Sequence, residues 1–359
     1  MDFEIKRDAL GETRFVESDP PRPEPGQAVL RVDSFGLTTN NITYAVMGET
    51  MNYWDFFPAS DEAWGRLPVW GYADVSAVGD EVDGLEEGTR LYGYYPASSH
   101  LVVEPTGVSE AGFVDGAAHR AELPPVYNRY SNVAADPVYD REREDEHILF
   151  FPLFFTSFLL DDFLGDAGLF GGSAAILSSA SSKTASAAAF LLARRDGVEV
   201  VALTSPRSVE FVGELGVYDR IVTYDDVGSL EQKPSVYADM SGDADVRNAL
   251  HRRLGDELRH DAVVGMTHHD EMGSVPGDLP GPRPEFFFAP THAAKRAAEW
   301  GGDGLAQRVG DAWRPYVEWT SGWLEVERGS GPDALEKAYA DMLEGRVDPK
   351  AGLVLSLPG

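Results

Sequence analysis

The sequence predicts an α/β protein in which a doubly wound parallel sheet is joined to a small β-barrel domain. Residues 174 to 288 alternate short apolar strands with helical stretches, an order that is typical of a doubly wound sheet. Residues 1 to about 105 instead contain short strands punctuated by glycine and proline, which is typical of a strongly bent barrel. A length of 359 residues favours two domains over one.

The chain is strongly acidic. Its net charge of −30 comes from 60 acidic and 30 basic residues, and the acidic residues are spread along the chain, which makes them a property of the folded surface. Such a surface repels nucleic acids and anionic membranes, so we expect neither as a partner. We interpret the charge as adaptation to high salt, where screening makes dense like charge tolerable. An ordinary acidic protein is the alternative.

The absence of cysteine excludes disulfides and thiolate ligands. The first ten residues lack an apolar signal core, and the longest apolar stretch, residues 148 to 160, is bounded by charge. This pattern favours a buried segment over a membrane span. We therefore expect a soluble, cytoplasmic protein.

In the first part of the chain, alternation predicts strands at residues 27 to 32, 69 to 78 and 100 to 103, with a turn-rich stretch at 82 to 93. Residues 106 to 147 are polar and contain three prolines and a charge run, so we expect a connecting insertion with little regular structure. Helix-forming residues 155 to 163 then lead into the second domain.

In the second domain the strand cores are predicted at residues 174–177, 198–203, 220–223, 235–239, 261–264 and 285–288. Helices are predicted at 183–195, 208–215 and 243–254, followed by a helix from 291 to 317 with a break at 301–304. The tail reads as a strand (322–327), a helix (332–343) and a strand (352–357) that return to the first domain.

The turn after the first of these strands is the predicted cofactor site. A parallel strand that leads into a helix presents backbone N–H groups and a positive dipole end, which together bind a pyrophosphate. Here small polar residues replace the usual glycines. The predicted contacts are Ser179, Ser181, Ser182, Lys183 and Thr184, whose hydroxyls and ammonium can donate to phosphate oxygens. A packing turn in a sheet that has lost its nucleotide is the alternative, and a P-loop matches less well.

The end of the second strand indicates which dinucleotide binds. NAD-binding sheets usually place an acid there, whereas this chain has Thr204, Ser205 and Arg207 and no acid before Glu210. Hydroxyls and a guanidinium suit the 2′-phosphate of NADP(H). The alternative is structural, with Ser205 capping a helix whose first residue is Pro206.

These segments together resemble the medium-chain dehydrogenase/reductase superfamily, in its zinc-independent quinone oxidoreductase-like branch. The resemblance is carried by residues 25–32 with Gly36-Leu37, by 69–75 and 88–93, and by 204–212 with Leu215-Gly216. Residues 239–242 occupy the place of the D-x-x-G turn after the fourth strand, and 343–346 the place of the last helix end. The matching family is an uncharacterised one of unknown function.

The resemblance implies a GroES-like barrel (substrate) domain at 1–147 and 319–359, with 106–147 as the insertion, and a Rossmann domain at 148–318. It implies Met240 and Ser241 as further cofactor contacts, and Asn40, Asn41 and Tyr44 as catalytic residues. For Asn41 the alternative, which the residue type favours, is that it caps the start of a helix. Zinc-dependent members carry Cys and His-Glu where this chain has Leu37, Tyr72 and Ala73, so no metal is expected.

Three further stretches have alternative interpretations. Tyr53, Trp54, Phe56 and Phe57 either line an aromatic substrate slot or belong to the core. The run His268-His269-Asp270-Glu271 is expected to be a solvated turn or a carboxamide contact rather than a metal site. Residues Phe286 to Phe288 either pair with a second copy in a homodimer or pack inside.

The sequence thus predicts a zinc-independent, NADP(H)-dependent oxidoreductase that transfers hydride to a small enone, quinone or related carbonyl compound. The alternative is a non-catalytic nucleotide-binding or structural relative that kept the fold and lost turnover.

Overall fold

The computed structural model describes residues 1–264 and 279–358. It divides into two compact units, Met1–Leu149 with Leu324–Gly359, and Phe150–Trp323. We call the first the barrel unit and the second the nucleotide unit. The domain boundaries predicted from the sequence lie at 147/148 and 318/319.

The strands in the described residues are β1 (Asp2–Lys6), β2 (Ala9–Val16), β3 (Ala28–Leu37), β4 (Trp64–Arg66), β5 (Pro68–Val78), β6 (Arg90–Pro96), β7 (His100–Val103), β8 (Pro105–Ser109), β9 (Gly112–Asp115), β10 (Arg129–Asn132), β11 (Ala174–Leu177), β12 (Glu199–Thr204), β13 (Arg220–Thr223), β14 (Ser235–Asp239), β15 (Leu258–Val263), β16 (Glu285–Phe286), β17 (Glu325–Ser330) and β18 (Ala351–Ser356).

The α-helices in the same residues are α1 (Thr39–Val46), α2 (Glu144–Asp166), α3 (Lys183–Leu192), α4 (Val209–Glu214), α5 (Ala244–Leu254), α6 (Ala289–Trp300), α7 (Gly302–Thr320) and α8 (Pro332–Leu343). The predicted break in the long helix is confirmed, because Gly301 takes a positive φ of 75° between α6 and α7. The segment Arg141–Asp166, which contains α2, is long and apolar enough to cross a membrane, but half of its apolar window is buried in protein.

The barrel unit contains a three-stranded sheet, β2-β1-β4, and a nine-stranded sheet in the order β17-β18-β3-β5-β6-β10-β9-β8, with β7 paired to β3. Strands β3 and β5 pair in antiparallel orientation, with a register shift between Val32 and Ser34. Gly71 lies opposite this irregularity, where a Cβ atom would stand 2.2 Å from the Ser34 carbonyl oxygen. Glycine is therefore needed for the two backbones to approach this closely.

Residues 106–147 were expected to have little regular structure, and that expectation is wrong. Strands β8, β9 and β10 extend the large sheet, and the prolines at 124, 125 and 137 fall outside them. The segment is fastened by the buried Arg120, whose guanidinium lies 2.9 Å from the Asp115 carboxylate and donates to the Phe56 carbonyl at 3.0 Å. Such polar strands are specified by long-range pairing and buried ion pairs rather than by an apolar alternation.

The nucleotide unit is a parallel six-stranded sheet in the order β13-β12-β11-β14-β15-β16. Alternate residues of β11 supply two cores: Ala175 and Leu177 pack with α2 and α3, while Ile176 packs with α5 on the other face. Helices on both faces explain why these strands are apolar throughout.

The last strand of this sheet is shorter than predicted. It ends at Phe286 rather than Phe288, because α6 begins at Ala289 with Pro290 in its first turn. Proline at that position favours helix initiation. Phe286 is 37% exposed on this edge strand.

Candidate functional site

The candidate site of the nucleotide unit lies at the carboxyl ends of β11, β12 and β14. Chain order reverses between β11 and β14, since β11 is followed by β12 on one side while the later strand β14 pairs on its other side. In open α/β sheets such a switch point is where ligands bind. All ten residues predicted to contact the cofactor lie in the segments that follow these three strands, or at the last residue of β12.

The turn after β11 is tight without glycine. Ser179 takes a left-handed backbone conformation with φ of 47°, which costs a residue with a side chain about 1–2 kcal/mol. Its N–H donates to the Tyr224 hydroxyl at 2.9 Å, and the Ser182 N–H donates to the Ser179 carbonyl at 2.7 Å. The buried Ala180 packs against Ala202, so a small residue lets the turn lie close to β12.

Ser182 is the N-cap of α3. Its Oγ accepts from the Ala185 N–H at 3.1 Å, and this arrangement leaves the hydroxyl hydrogen able to donate outward. Ser181, Lys183 and Thr184 are half-buried beside it. The Lys183 ammonium lies 5.9 Å from the centre of the Phe150 ring. A ten-residue helix with this start provides a positive dipole end at the switch point.

At the end of β12 the structure separates the three predicted residues by exposure. Thr204 is buried, Ser205 is half-buried with its Oγ 3.2 Å from that of Ser208, and Arg207 is exposed. Pro206 opens a short 3₁₀ turn, and the Ser205 side chain makes no capping bond to it. The guanidinium of Arg207 is therefore presented to solvent at a strand end that carries hydroxyls.

The turn after β14 is organised by Asp239, which is fully buried. Its Oδ1 accepts from the N–H groups of Ser241 and Gly242 at 3.1 and 3.0 Å and from the Ser178 hydroxyl at 2.9 Å. Its Oδ2 accepts from Arg247 of α5. Met240 and Ser241, two of the predicted contacts, are half-buried at the tip of this turn.

In the barrel unit, Asn41 is buried and its amide is used structurally. Its Oδ1 accepts from the Thr38 N–H at 2.7 Å and its Nδ2 donates to the Pro68 carbonyl at 2.9 Å. This places Asn41 at the third position of α1, closing back on the helix start, rather than at the cap itself. Asn40 beside it is half-buried.

Tyr44 lies in an aromatic cluster with Tyr53, Trp70, Tyr94 and Tyr127. Its hydroxyl accepts from the Trp70 indole N–H at 3.2 Å. Burial raises the pKa of Tyr44, and the nearby Trp70 and Asn40 side chains only partly oppose this effect. Tyr44 therefore keeps its proton and can act as a hydrogen-bond donor, but it is a weak acid.

Tyr53, Trp54, Phe56 and Phe57 are all buried within the barrel unit, which favours the core interpretation for them. The run His268 to Glu271 lies outside the described residues. Among residues 1–264 and 279–358, no group of three or more His, Asp and Glu side chains is placed to hold a metal ion.

The sequence did not single out three residues that build the site. Tyr224 receives the Ser179 N–H, Tyr218 donates to the Ala180 carbonyl at 2.8 Å, and the Ser178 hydroxyl joins the turns after β11 and β14. In the sequence each of the two tyrosines is a single aromatic residue next to β13, and such a residue is ordinarily interpreted as part of the core.

Solved structures with the same fold include an enoyl reductase and an oxidoreductase. The CurK enoyl reductase matches with a TM-score of 0.55 and 17% identity over 99% of each chain. CurA of Vibrio vulnificus in complex with NADPH matches at 0.55 and 13%, over 97% of this chain and 94% of that one. The YhdH oxidoreductase of Salmonella enterica in complex with NADP matches at 0.54 and 15%, over 96% and 94%.

These similarities confirm the predicted fold class, a Rossmann-type sheet with a GroES-like barrel. Within that fold, residues 35–348 match the family described as "Protein of unknown function (DUF2855)". The chain belongs to this family. A sequence comparison with curated proteins gives no match.

Proposed function

We propose that this protein is an NADP(H)-dependent oxidoreductase that reduces a small enone, quinone or related carbonyl compound without a metal. The observation that carries the proposal is the end of β12, where hydroxyls and the exposed Arg207 stand in place of a carboxylate. A ribose 2′-phosphate needs such cationic and hydroxyl donors, whereas an acid at this position would repel it. CurA and YhdH, which have the same fold, were solved with NADPH and NADP.

The residues present fit the dinucleotide. Arg207 and Ser205 would hold the 2′-phosphate, while the Ser182 hydroxyl, the Lys183 ammonium and the first N–H groups of α3 would hold the pyrophosphate. Ser181, Thr184, Met240 and Ser241 complete the proposed contacts, with Thr204 closing the strand end. Unlike glycine, these side chains would bind phosphate through their own donors, which offsets the loss of bare backbone at this turn.

Bound NADPH supplies a hydride, so the protein has to orient the acceptor and stabilise charge that develops on its oxygen. In the barrel unit we assign this role to the Tyr44 hydroxyl and the Asn40 amide. Because Tyr44 keeps its proton, it would donate a hydrogen bond to the oxyanion rather than transfer the proton, and solvent would supply the proton that completes the reduction. Asn41 would act indirectly, by holding the start of α1.

Ligand-induced stabilisation and binding test the proposal. NADPH should raise the unfolding temperature more than NADH does, since only a ligand preferred by the folded state stabilises it. Arg207→Ala should weaken NADPH binding about tenfold or more and leave NADH unchanged, the expected size for one charge-assisted bond at an exposed site. Arg252→Ala, at another exposed arginine of the same unit, is the matched control. Equal binding of NADPH by the Arg207 variant and the wild type would refute the assignment.

A non-catalytic nucleotide-binding protein is the second candidate. It is favoured by Asn41, which is buried and whose amide oxygen and nitrogen both bond to backbone groups, at the Thr38 N–H and the Pro68 carbonyl. Tight NADPH binding without oxidation in the presence of a panel of enones and quinones would support this candidate over the reductase. We further propose that a homodimer, if one forms, pairs through the edge strand at Phe286.

A further inference from the structure

The Ser178 hydroxyl joins two segments of the nucleotide unit that are 61 residues apart in the chain. It is fully buried, donates to Asp239 Oδ1 at 2.9 Å and accepts from the N–H groups of Met240 and Ser241 at 2.9 and 3.1 Å. One hydroxyl thus connects the turn after β11 to the turn after β14 with all of its hydrogen-bonding capacity.

The Asp239 carboxylate extends this connection. Besides Ser178 it receives three donors from its own turn, including the Ser241 hydroxyl at 2.9 Å, and on its other oxygen it receives two N–H groups of Arg247, at 2.9 and 2.5 Å. Asp239 is fully buried and Arg247 is nearly so. A carboxylate held by this many donors has no freedom to reorient, so the two turns and the start of α5 form one rigid group.

Arg247 is in turn backed by a buried His–Asp pair. Its Nε lies 4.0 Å from Asp261 Oδ2, and that oxygen lies 2.8 Å from His251 Nε2. The other ring nitrogen of His251 lies 2.8 Å from the Pro280 carbonyl oxygen. Because a carbonyl oxygen can only accept, Nδ1 must carry a hydrogen, and the contact between Nε2 and Asp261 then requires a second proton on the pair.

We propose that Ser178 and Asp239 are positioning residues for the dinucleotide, which lock together the two turns that hold its pyrophosphate and its nicotinamide half. This inference rests on the proposed function. Asp239 is fully buried and both of its oxygens accept from protein donors, so its effect would be exerted through the backbone: the bonds keep Ser179 and Met240 in place before the cofactor arrives. A site assembled in advance does not spend binding free energy on ordering its loops.

The backbone conformation of the turn after β11 is a second reason why these hydrogen bonds are needed. Glycine-rich turns approach a pyrophosphate closely through bare backbone, whereas here Ser179 holds a left-handed conformation that is unfavourable for a residue with a side chain. Such a conformation persists only when the surroundings determine it. Bonds from Ser178 on one side of the turn and Tyr224 on the other supply that constraint.

The test compares two ligands that reach different parts of the site. NADPH spans the strand ends, whereas adenosine 2′,5′-bisphosphate carries only the 2′-phosphate half that Arg207 is proposed to hold. Ser178→Ala should weaken NADPH binding about tenfold while changing adenosine 2′,5′-bisphosphate binding by no more than about twofold. Both dissociation constants are measured by titration calorimetry. Ser173→Ala, an exposed serine at the opposite end of β11, is the matched control.

Asp239→Asn should show the same ligand-dependent split with a larger loss, and Ser178→Ala keeps the test valid if that variant does not fold. A variant that loses both ligands equally shows a general structural role and overturns the inference. Unchanged binding of both ligands to Ser178→Ala overturns it as well, while the proposed function stands. Wild-type protein that binds neither ligand removes the proposed function and this inference with it.

Discussion

Raising the pH should destabilise the nucleotide unit through the buried His251–Asp261 pair. Around the pair lie Asp239, Arg247 and Tyr237, with His260 next to Asp261 on β15. Burial raises the pKa of Tyr237 and lowers that of His260, so it favours the neutral form of both side chains. Two carboxylates then face one guanidinium, and the negative charge left over is cancelled only when the pair holds its extra proton.

The direction follows from where that proton is bound. Burial raises the pKa of Asp261, and the neighbouring carboxylate of Asp239 adds to this effect, so the folded protein keeps the proton of the pair to a higher pH than the unfolded chain does. An aspartate of the unfolded chain releases its proton at about pH 3.9. Above that pH the folded state keeps one more proton than the unfolded state until the raised pKa of Asp261 is passed, and stability therefore falls as pH rises.

The expected magnitude is about 1.4 kcal/mol per pH unit for one proton, continuing until the pair itself releases it. The total loss is bounded by about 3–5 kcal/mol, the usual cost of breaking a buried pair. Urea unfolding is measured at constant, high ionic strength from about pH 4 to 9, so that surface charges are screened.

The variant Asp261→Asn tests whether the His251–Asp261 pair causes the pH dependence of stability. An Asn amide can donate to His251 Nε2 while Nδ1–H still donates to Pro280, so the variant needs no second proton. Asp261 Oδ1 accepts no hydrogen bond from the described residues, so the substitution breaks no bond there. We expect a flat pH dependence for Asp261→Asn and a wild-type slope for Asp256→Asn, an exposed control. Equal slopes for the wild type and Asp261→Asn would refute the reasoning.

Two further predictions concern the barrel unit and the surface. Asn41→Ala should lower the free energy of unfolding by about 2–3 kcal/mol, because it leaves the buried Thr38 N–H and Pro68 carbonyl unpaired. Asn40→Ala should change the free energy of unfolding by no more than about 0.5 kcal/mol and should lower turnover. Chemical denaturation and steady-state rates distinguish the two variants, and equal stabilities would contradict the assignment. With a net charge of −30, the unfolding temperature should rise as potassium chloride is raised from about 0.1 to 2 M, by screening of self-repulsion; a temperature that stays constant would contradict adaptation to salt.

The parallel sheet of the nucleotide unit could be predicted because its signals are local. Residues 174–177, 220–223 and 235–239 were predicted as strands and match β11, β13 and β14. Strands buried on both faces are short continuous apolar runs, which stand out between helices. Strand β12 was predicted at 198–203 and is observed at Glu199–Thr204, while the role of Thr204, Ser205 and Arg207 in binding the cofactor stays a prediction.

The barrel insertion could not be predicted, because its strands are polar and pair with partners far along the chain. Strand β10 lies between β6 and β9 and has no apolar alternation of its own. Gly112, at the turn between β8 and β9, has a φ of 117°, and its position is specified by the Tyr130 carbonyl, which a Cβ atom would approach to 2.0 Å. Nothing within the segment itself indicates this constraint.

The sequence by itself therefore determined the order of strands and helices, the chemical types at the strand ends and the absence of cysteine. The sequence also shows that the turn from 178 to 182 is rich in serine, but it does not show which residues hold that turn in place. Ser178 and Asp239 are brought together only when β11 and β14 pair, and His251 meets Asp261 and Pro280 only when α5 packs on β15. Hydrogen bonds between distant residues depend on packing, which local patterns do not encode, so only the tertiary structure decided how the site is held.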